Sequence, residues 1–192
     1  MKIHYLATAR IPSKTANSLQ IIKMCEAFST IGHDINLIVP NLISENVSIR
    51  DYYDLKKKIK IYKIGKIIKD IKGIGSILIP FKILKKSFSI GCDIVITRNL
   101  VISLFLIIFK KKHIFEIHDD LNSSGKKISY IFKLFKLLNS KSIVKLIFIT
   151  KELKKHISKK YKYRKNNFEI LQDSNDINFK KFLIKKKIKN KK

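Results

Sequence analysis

Short apolar runs alternate with segments of helical periodicity along most of the chain, and this alternation restricts the possible folds more than any other feature. Residues 3–7 form one such run, and residues 35–39 form a second that Pro40 closes. A continuous apolar run is typical of a parallel strand that is buried on both faces. Because strands and helices alternate, we predict a single Rossmann-like α/β domain with a mainly parallel sheet and helices on both faces.

Five further short runs are predicted strands. Residues 59–64 alternate with lysines, as expected for an exposed or edge strand. The other four are rich in β-branched or aromatic residues and lie at residues 93–97, 114–117, 146–150 and 168–171. Helical-length segments follow the first three of these four, so the alternation continues to the turn-forming sequence QDSND.

Two segments carry an apolar stripe with the i, i+3, i+4, i+7 spacing of an amphipathic helix. The stripes are Ile21, Met24, Cys25 and Phe28, and Ile128, Ile131, Phe132 and Phe135. The first helix is predicted to begin at Asn17 and to be capped by Gly32, which makes Cys25 a core thiol rather than a nucleophile. Residues 73–89 are predicted to be helical but interrupted by Gly75 and Pro80.

The length and composition indicate one folded domain with a basic surface. A chain of 192 residues that is 45% hydrophobic is long enough for a sizeable core and too apolar to stay disordered. The formal net charge is +28, and only four of the 42 basic residues are arginines. Compositional drift on solvated faces explains the lysine excess, yet such a surface attracts anionic lipid and nucleic acid whatever its origin.

We predict that the domain occupies residues 1–175 and that residues 176–192 form a basic tail. Residues 179–192 contain eight lysines and no acidic residue, with apolar residues interleaved. One interpretation is a frayed, solvated chain end. The other is a basic amphipathic segment that is held on an anionic membrane surface.

The cysteine content and the N-terminal sequence bear on location. Cys25 and Cys92 are too few and too far apart for a disulfide framework, which favours a reducing compartment. The opening sequence MKIHYLATAR lacks an apolar stretch of signal-peptide length, and the apolar run at residues 100–109 is about half of what spans a bilayer. We predict a cytoplasmic protein, with the inner face of the membrane as an alternative location.

Polar residues follow three predicted strands, at the edge where parallel sheets bind ligands. They are the loop at residues 7–18, residues 97–99 and residues 118–120. A loop of small residues that leads into a helix N-terminus offers backbone N–H groups to a phosphate or a sugar hydroxyl. Arg98 adds a side chain that can grip an anion with two hydrogen bonds. We expect Asn17, Arg98 and His118 to meet along one rim of the sheet.

Glu116 and His118 raise the question of a metal site. They share a strand face if the strand is regular, and a histidine with a carboxylate can bind a metal ion. Asp119 and Asp120 are the further ligands within reach, and no fixed spacing holds them. A hydrogen-bonded structural histidine is the other interpretation. We predict neither a metal site nor a cofactor.

Five segments, taken in order, carry a resemblance to a known family. They are RIPSKTANSLQIIKMCEAFSTIGHDINLIVP, DIVITR, HIFEIHDD, LIFITKELKKHI and ILQDSNDINFKKF. In this order and spacing, they resemble the N-terminal domain of the GT-B glycosyltransferases of family 4, from about residue 1 to residue 182. The last segment is similar to the stretch at which family members pass into a second domain.

The resemblance implies an acceptor-binding domain for hexosyl transfer from a nucleotide sugar to a glycan or a lipid-linked acceptor. It implies that His118 lies at the cleft as a catalytic residue that contacts the transferred sugar, and that the loop at residues 10–17 shapes the acceptor site. The predicted substrate-binding residues are Arg10, Ser13, Asn17, Arg98, His118 and Asp119. Residues 14–16 depart from the family, because many members carry two glycines there.

The family's second domain binds the nucleotide sugar through a basic phosphate clamp and a pair of glutamates, and it has no room in 192 residues. The resemblance therefore implies that residues 176–192 are the remnant of an interdomain crossover. We expect the chain to be incomplete or inactive without a donor-binding domain. A truncated gene product and one subunit of a split enzyme, with a separate donor-binding subunit as partner, both agree with the sequence.

A non-catalytic basic protein that binds nucleic acid or an anionic membrane is the alternative function. The charge alone favours nucleic acid. Against that partner, the aromatic residues lie mostly in apolar runs, and arginine, the preferred reader of bases and phosphates, is scarce. We therefore predict that nucleic acid is not a partner.

Overall fold

A computed structural model describes residues 1–42, 48–65, 75–164 and 166–171. Seven strands and six helices alternate along this part of the chain. The strands are β1 (Lys2–Leu6), β2 (Asp34–Pro40), β3 (Lys60–Ile64), β4 (Ile94–Thr97), β5 (His113–Ile117), β6 (Ile143–Phe148) and β7 (Phe168–Ile170). The helices are α1 (Ala16–Thr30), α2 (Ile49–Tyr53), α3 (Gly75–Ile90), α4 (Leu100–Ile108), α5 (Lys126–Leu134) and α6 (Lys151–Lys160).

All seven strands lie in one parallel sheet with the order β3-β2-β1-β4-β5-β6-β7. The chain first winds outward from β1 to β3, then crosses back beside β1 and winds outward to β7. This confirms the predicted Rossmann-like α/β domain with a parallel sheet, and it confirms that residues 60–64 form an edge strand. The direction of winding reverses between β1 and β4.

Helix α1 forms because its sequence supplies both ends and an apolar stripe. The Thr15 side chain accepts a hydrogen bond from the Ser18 amide at the first turn. At the other end Gly32 adopts a φ of 88°, a left-handed conformation that glycine reaches without steric cost. Cys25 lies fully buried under the helix, which confirms its assignment to the core. Burial raises the pKa of this thiol far above its ordinary value.

Successive strand residues point to opposite faces of the sheet, and each face has its own core. The α1 face packs Tyr5 and Ile96 against Ile21 and Ile22 of α1. The opposite face packs Leu6 and other strand residues against α3 and α4. Buried apolar area on both faces is the main stabilising contribution to such a sheet, at about 25 cal/mol per Å².

Three local predictions need correction. Strand β6 was expected at residues 146–150 but ends at Phe148, because Thr150 caps α6 by accepting a hydrogen bond from the Leu153 amide. Helix α3 continues through Pro80 instead of stopping there. Phe135 was expected in the buried stripe of α5 but is exposed, because the helix ends at Leu134 and the chain turns away through Lys136 at a φ of 50°.

Some predictions fall outside the described residues: the domain boundary at residue 175, the tail at residues 176–192 and the turn QDSND.

The short helix α2 was not predicted from the sequence. The Ser48 side chain caps it by accepting a hydrogen bond from the Asp51 amide. None of the described helices is long and apolar enough to cross a bilayer.

Candidate functional site

The candidate site lies where the winding of the sheet reverses. Strands β1, β4 and β5 are adjacent and parallel, so their carboxyl ends meet at one edge. The loops that leave β1 and β4 run in opposite directions, which opens a crevice between them. A pocket of about 360 Å³ lies at this edge, within the size range of small-molecule sites.

A buried ion pair forms the base of the pocket. The Arg98 Nε atom donates to the Glu116 Oε2 atom at 3.1 Å and to the Tyr5 hydroxyl oxygen at 2.8 Å. The Tyr5 hydroxyl in turn donates to the same Glu116 oxygen at 2.7 Å. We call these three residues the Arg98 cluster. It joins three strands: Tyr5 belongs to β1, Arg98 follows β4, and Glu116 belongs to β5.

The cluster keeps its charges at neutral pH. Burial alone would raise the pKa of Glu116, but the hydrogen bond to His118, the Arg98 charge and the Tyr5 hydroxyl together lower it below its ordinary value. Burial and the Glu116 charge raise the pKa of Tyr5 well above 10, so its hydroxyl keeps its proton. The guanidinium and the carboxylate are therefore both charged, with Glu116 only 2% exposed.

The far end of Arg98 reaches helix α1. Its Nη1 atom donates to the Asn17 Oδ1 atom at 2.9 Å and to the Gln20 Oε1 atom at 3.3 Å. Within the part of the chain that is described, the second terminal nitrogen, Nη2, has no hydrogen-bond partner. Arg98 is thus held at Nε and at Nη1, and it lines the pocket.

His118 and Asp119 also line the pocket. The Nε2 atom of His118 is 3.4 Å from the Glu116 Oε2 atom, at the long end of hydrogen-bond range. Asp119 is exposed at the pocket edge, whereas Asp120 turns away and binds Lys160 at 2.7 Å and His156 at 3.0 Å. Those two partners hold the pKa of Asp120 well below its ordinary value.

The pocket therefore brings together four of the six predicted substrate-binding residues: Asn17, Arg98, His118 and Asp119. The expectation that Asn17, Arg98 and His118 share one rim is confirmed. Phe115, Ile117, Leu121 and Ile149 also line the pocket. Fixed polar groups of this kind suit a ligand that carries hydroxyl groups, such as a sugar.

Arg10 and Ser13 do not line this pocket. The Ser13 hydroxyl bonds within its own loop, at 2.7 Å from the Ser18 Oγ atom and 2.9 Å from the Thr15 Oγ1 atom. The Ser18 hydroxyl also donates to the Arg10 carbonyl oxygen at 2.9 Å. These bonds stabilise the loop before α1, and the predicted contact of Arg10 and Ser13 with substrate stays a prediction.

Tyr5 and Gln20 are site residues that the sequence analysis missed. Tyr5 lies inside an apolar run, where it is indistinguishable from a core aromatic residue. A signal was available in β5, where Glu116 interrupts the apolar sequence HIFEI. A buried acid needs a cation and further donors, and that requirement points to Arg98 and a neighbouring hydroxyl.

No group of three His, Cys, Asp or Glu residues in the described part of the chain is arranged to hold a metal ion. Glu116 is instead engaged by Arg98 and Tyr5, and Asp120 is engaged by α6. The polar chemistry of this pocket is that of hydrogen-bond donors and acceptors.

Comparison with solved structures identifies a similar fold in a glycosyltransferase from Rickettsia africae ESF-5. The two are 15% identical with a TM-score of 0.57, and the alignment covers 93% of this chain and 44% of that protein. The chain thus spans less than half the length of this structural relative, and at such low identity the similarity shows the fold. No protein-family model and no curated protein matches the sequence.

Proposed function

We propose that this chain forms the acceptor-side domain of a two-domain glycosyltransferase that transfers a hexose from a nucleotide sugar to a glycan or lipid-linked acceptor. The observation that carries the proposal is the pocket at the sheet reversal, where Asn17, Arg98 and His118 surround one cavity. The fold shared with a glycosyltransferase supports it. The finer assignment to family 4 of the GT-B enzymes rests on the segment resemblance.

In glycosyl transfer, an acceptor hydroxyl oxygen bonds to the anomeric carbon while the bond from that carbon to the leaving diphosphate breaks. Positive charge develops on the sugar and negative charge on the diphosphate, so groups on both sides of the cleft must stabilise the transition state. This chain supplies one side. The donor-binding groups come from polypeptide outside these 192 residues, either in a longer chain or in a separate subunit.

Two side chains have distinct roles in this proposal. His118 hydrogen-bonds a hydroxyl of the transferred sugar, because its ring lies at the pocket wall with one nitrogen directed at Glu116. Arg98 orients the acceptor through Nη2, because Tyr5 and Glu116 hold its Nε atom. A side chain that is fixed before substrate arrives loses little entropy on binding.

Sugar transfer in the presence of a donor-binding partner tests the proposal. The purified chain is mixed with the product of a neighbouring reading frame that encodes such a domain, and transfer is followed from labelled nucleotide sugars to glycans and polyprenyl-linked sugars. We expect transfer that His118→Ala lowers on the order of 100-fold, the size typical for loss of one transition-state hydrogen bond. His33→Ala is the matched control, since His33 packs near Phe28 outside the pocket.

Acceptor binding to the chain alone gives a readout that needs no partner. Ligand-observed NMR with the same acceptor panel should detect binding that Arg98→Lys weakens and His33→Ala leaves unchanged. Lysine keeps the charge but loses the fork of donors that the pocket geometry uses. Binding that Arg98→Lys and His118→Ala both leave intact would place the acceptor elsewhere and overturn the assignment of this pocket.

A further inference from the structure

We propose that the surface formed by helices α3 and α4 docks on an anionic lipid bilayer. We call this surface the α3–α4 face. Five large apolar side chains on it are between 41% and 51% exposed: Ile77, Leu78, Phe81, Phe88 and Phe109. Contiguous exposed apolar surface of this kind marks an interaction site, whereas single exposed residues do not.

The phenylalanines of the face form a continuous ladder across both helices. Phe81 of α3 packs against Phe105 of α4 with ring centroids 6.0 Å apart. Phe105 stacks on Phe109 at 6.3 Å, and Phe109 meets Phe88 of α3 edge-on at 5.8 Å. The rings thus support one another in one patch, which presents a large apolar area to whatever covers it.

Lysines are interspersed with these rings. Lys85 is exposed on the same side of α3 as Phe81 and Phe88, because it lies four residues from the first and three from the second. Lys82 is exposed three residues before Lys85. Lys110 to Lys112 follow α4, and the Lys111 Nζ atom lies 5.8 Å from the centre of the Phe88 ring. Residues 75–112 contain six lysines but a single acid, Asp93.

This combination of exposed apolar side chains and lysines favours an anionic bilayer as the partner of the α3–α4 face. Aromatic and aliphatic side chains flanked by lysines suit the boundary between headgroups and acyl chains, where rings insert and long cationic side chains reach the phosphates. Each lysine near an anionic leaflet adds to the attraction. A second copy of this chain fits poorly, because it would bring an equally basic face against the first.

The face is remote from the pocket. It packs on the side of the sheet that carries Leu6, Ile38 and Val95, whereas α1 and the Arg98 cluster lie on the other side. A bilayer on the α3–α4 face therefore leaves the pocket uncovered. The inference does not depend on the proposed function, and His118→Ala should bind vesicles as well as the unchanged chain does.

Vesicle sedimentation with the full 192-residue chain tests the proposal. We expect retention on phosphatidylcholine vesicles that contain phosphatidylglycerol, weak retention on phosphatidylcholine alone, and release as salt rises. The variant Lys82→Glu/Lys85→Glu should weaken binding by at least about tenfold. The variant Phe81→Ser/Phe88→Ser/Phe109→Ser should do the same through lost insertion, with circular dichroism confirming that each variant is folded.

The matched control is Lys57→Glu/Lys58→Glu, which makes the same change in charge beside α1. These lysines follow the segment that Glu26 of α1 binds through the Lys56 amide at 2.6 Å, so they lie on the opposite side of the sheet. We expect this control to keep most of the binding. Equal losses in both charge variants would mean diffuse attraction and would overturn the proposal. So would binding that both face variants retain, or association of the free chain into dimers that the phenylalanine variant abolishes.

Discussion

Two buried polar clusters lie on opposite faces of β1, and adjacent residues of that strand begin them. Tyr5 belongs to the Arg98 cluster on the α1 face. His4 points to the other face, where its Nδ1 atom lies 2.8 Å from the Ser87 hydroxyl of α3. Asn36 is the neighbour of His4 on β2 in the strand register. We call His4, Asn36 and Ser87 the His4 cluster.

The two clusters differ in how well their polar atoms are satisfied. In the Arg98 cluster, the paired Nε, hydroxyl and carboxylate atoms lie within 3.1 Å of one another. In the His4 cluster, the Nε2 atom of His4 and both polar atoms of the Asn36 side chain have no hydrogen-bond partner among the described residues. Each buried unpaired group costs about 1–3 kcal/mol.

Their positions explain the difference in role. The Arg98 cluster lies at the carboxyl ends of the strands and borders the pocket, so its satisfied network holds the pocket-lining side chains of Arg98 and Glu116 in one arrangement. The His4 cluster lies under α3, and none of its residues lines that pocket. Of the two clusters, only the Arg98 cluster is both paired and open to a cavity, and it is the one to which the proposed function assigns a role.

Removal of the acid from the Arg98 cluster should have the largest effect. Glu116→Ala leaves a buried guanidinium without its counter-ion, and we expect the free energy of unfolding to fall by about 3–5 kcal/mol. Urea denaturation measures this loss. Glu169→Ala removes an exposed acid from β7 that pairs with Lys145, and it should change stability little. Similar losses in the two variants would contradict the buried ion pair.

Acid should weaken the two clusters in different pH ranges. Burial and the nearby Lys2 charge lower the pKa of His4 from 6.5 to about 4. As pH falls from 6.5 to 4, the unfolded chain takes up a proton at His4 that the folded chain refuses, so stability falls, by on the order of 2 kcal/mol. The pKa of Glu116 is lowered in the folded chain. The stability that its charge contributes is therefore kept until the pH falls below 4.5, the ordinary pKa of a glutamate.

Urea denaturation between pH 6.5 and 4.5 separates the two. His113 also has a pKa lowered to about 4 by burial, and it contributes the same trend in every variant. The variant His4→Gln should therefore lose less stability over this interval than the unchanged chain, with the difference assigned to His4. An identical slope in the two proteins would show that His4 does not resist protonation in the folded state.

The hydroxyl of Tyr5 should contribute a smaller amount. Tyr5→Phe keeps the ring in the core but removes the bridge between Arg98 and Glu116, and we expect a loss of about 1.5 kcal/mol. The same change should weaken acceptor binding in the NMR assay, because Arg98 becomes less fixed. Tyr130→Phe, at an exposed position on α5, is the control and should alter neither quantity. Tighter acceptor binding by Tyr5→Phe would contradict the positioning role of the hydroxyl.

Some features of the fold and of the site can be predicted from the sequence, and others cannot. The parallel sheet, the edge at which the pocket lies and the meeting of Asn17, Arg98 and His118 follow from the alternation of elements and from the polar residues after each strand. These are properties of neighbours along the chain. Residue pairs that depend on the exact register of different strands, such as Tyr5 with Glu116, are not encoded in any local pattern.

Two other differences between prediction and structure arise because polar side chains bond to groups close to them in the sequence. Threonine favours strands, yet the Thr150 hydroxyl caps α6 and the strand ends before it. Ser13 has the character of a substrate-binding residue, yet its hydroxyl is used within the loop. Polar side chains next to helix termini have two possible uses, and only the folded geometry decides between them.

The smallest expected effect is a gain in stability from the His4 cluster. Asn36→Leu replaces a buried amide that lacks partners with an apolar side chain of similar shape, and we expect about 1 kcal/mol of stabilisation in urea denaturation. Thr97→Val is the matched control, since the Thr97 hydroxyl donates to the Leu6 carbonyl at 2.9 Å and accepts from the Asn99 amide at 3.1 Å. That variant should lose stability. If Asn36→Leu also loses stability, the amide has a hydrogen-bond partner in solution. The two clusters would then differ in position but not in how well their polar atoms are hydrogen-bonded.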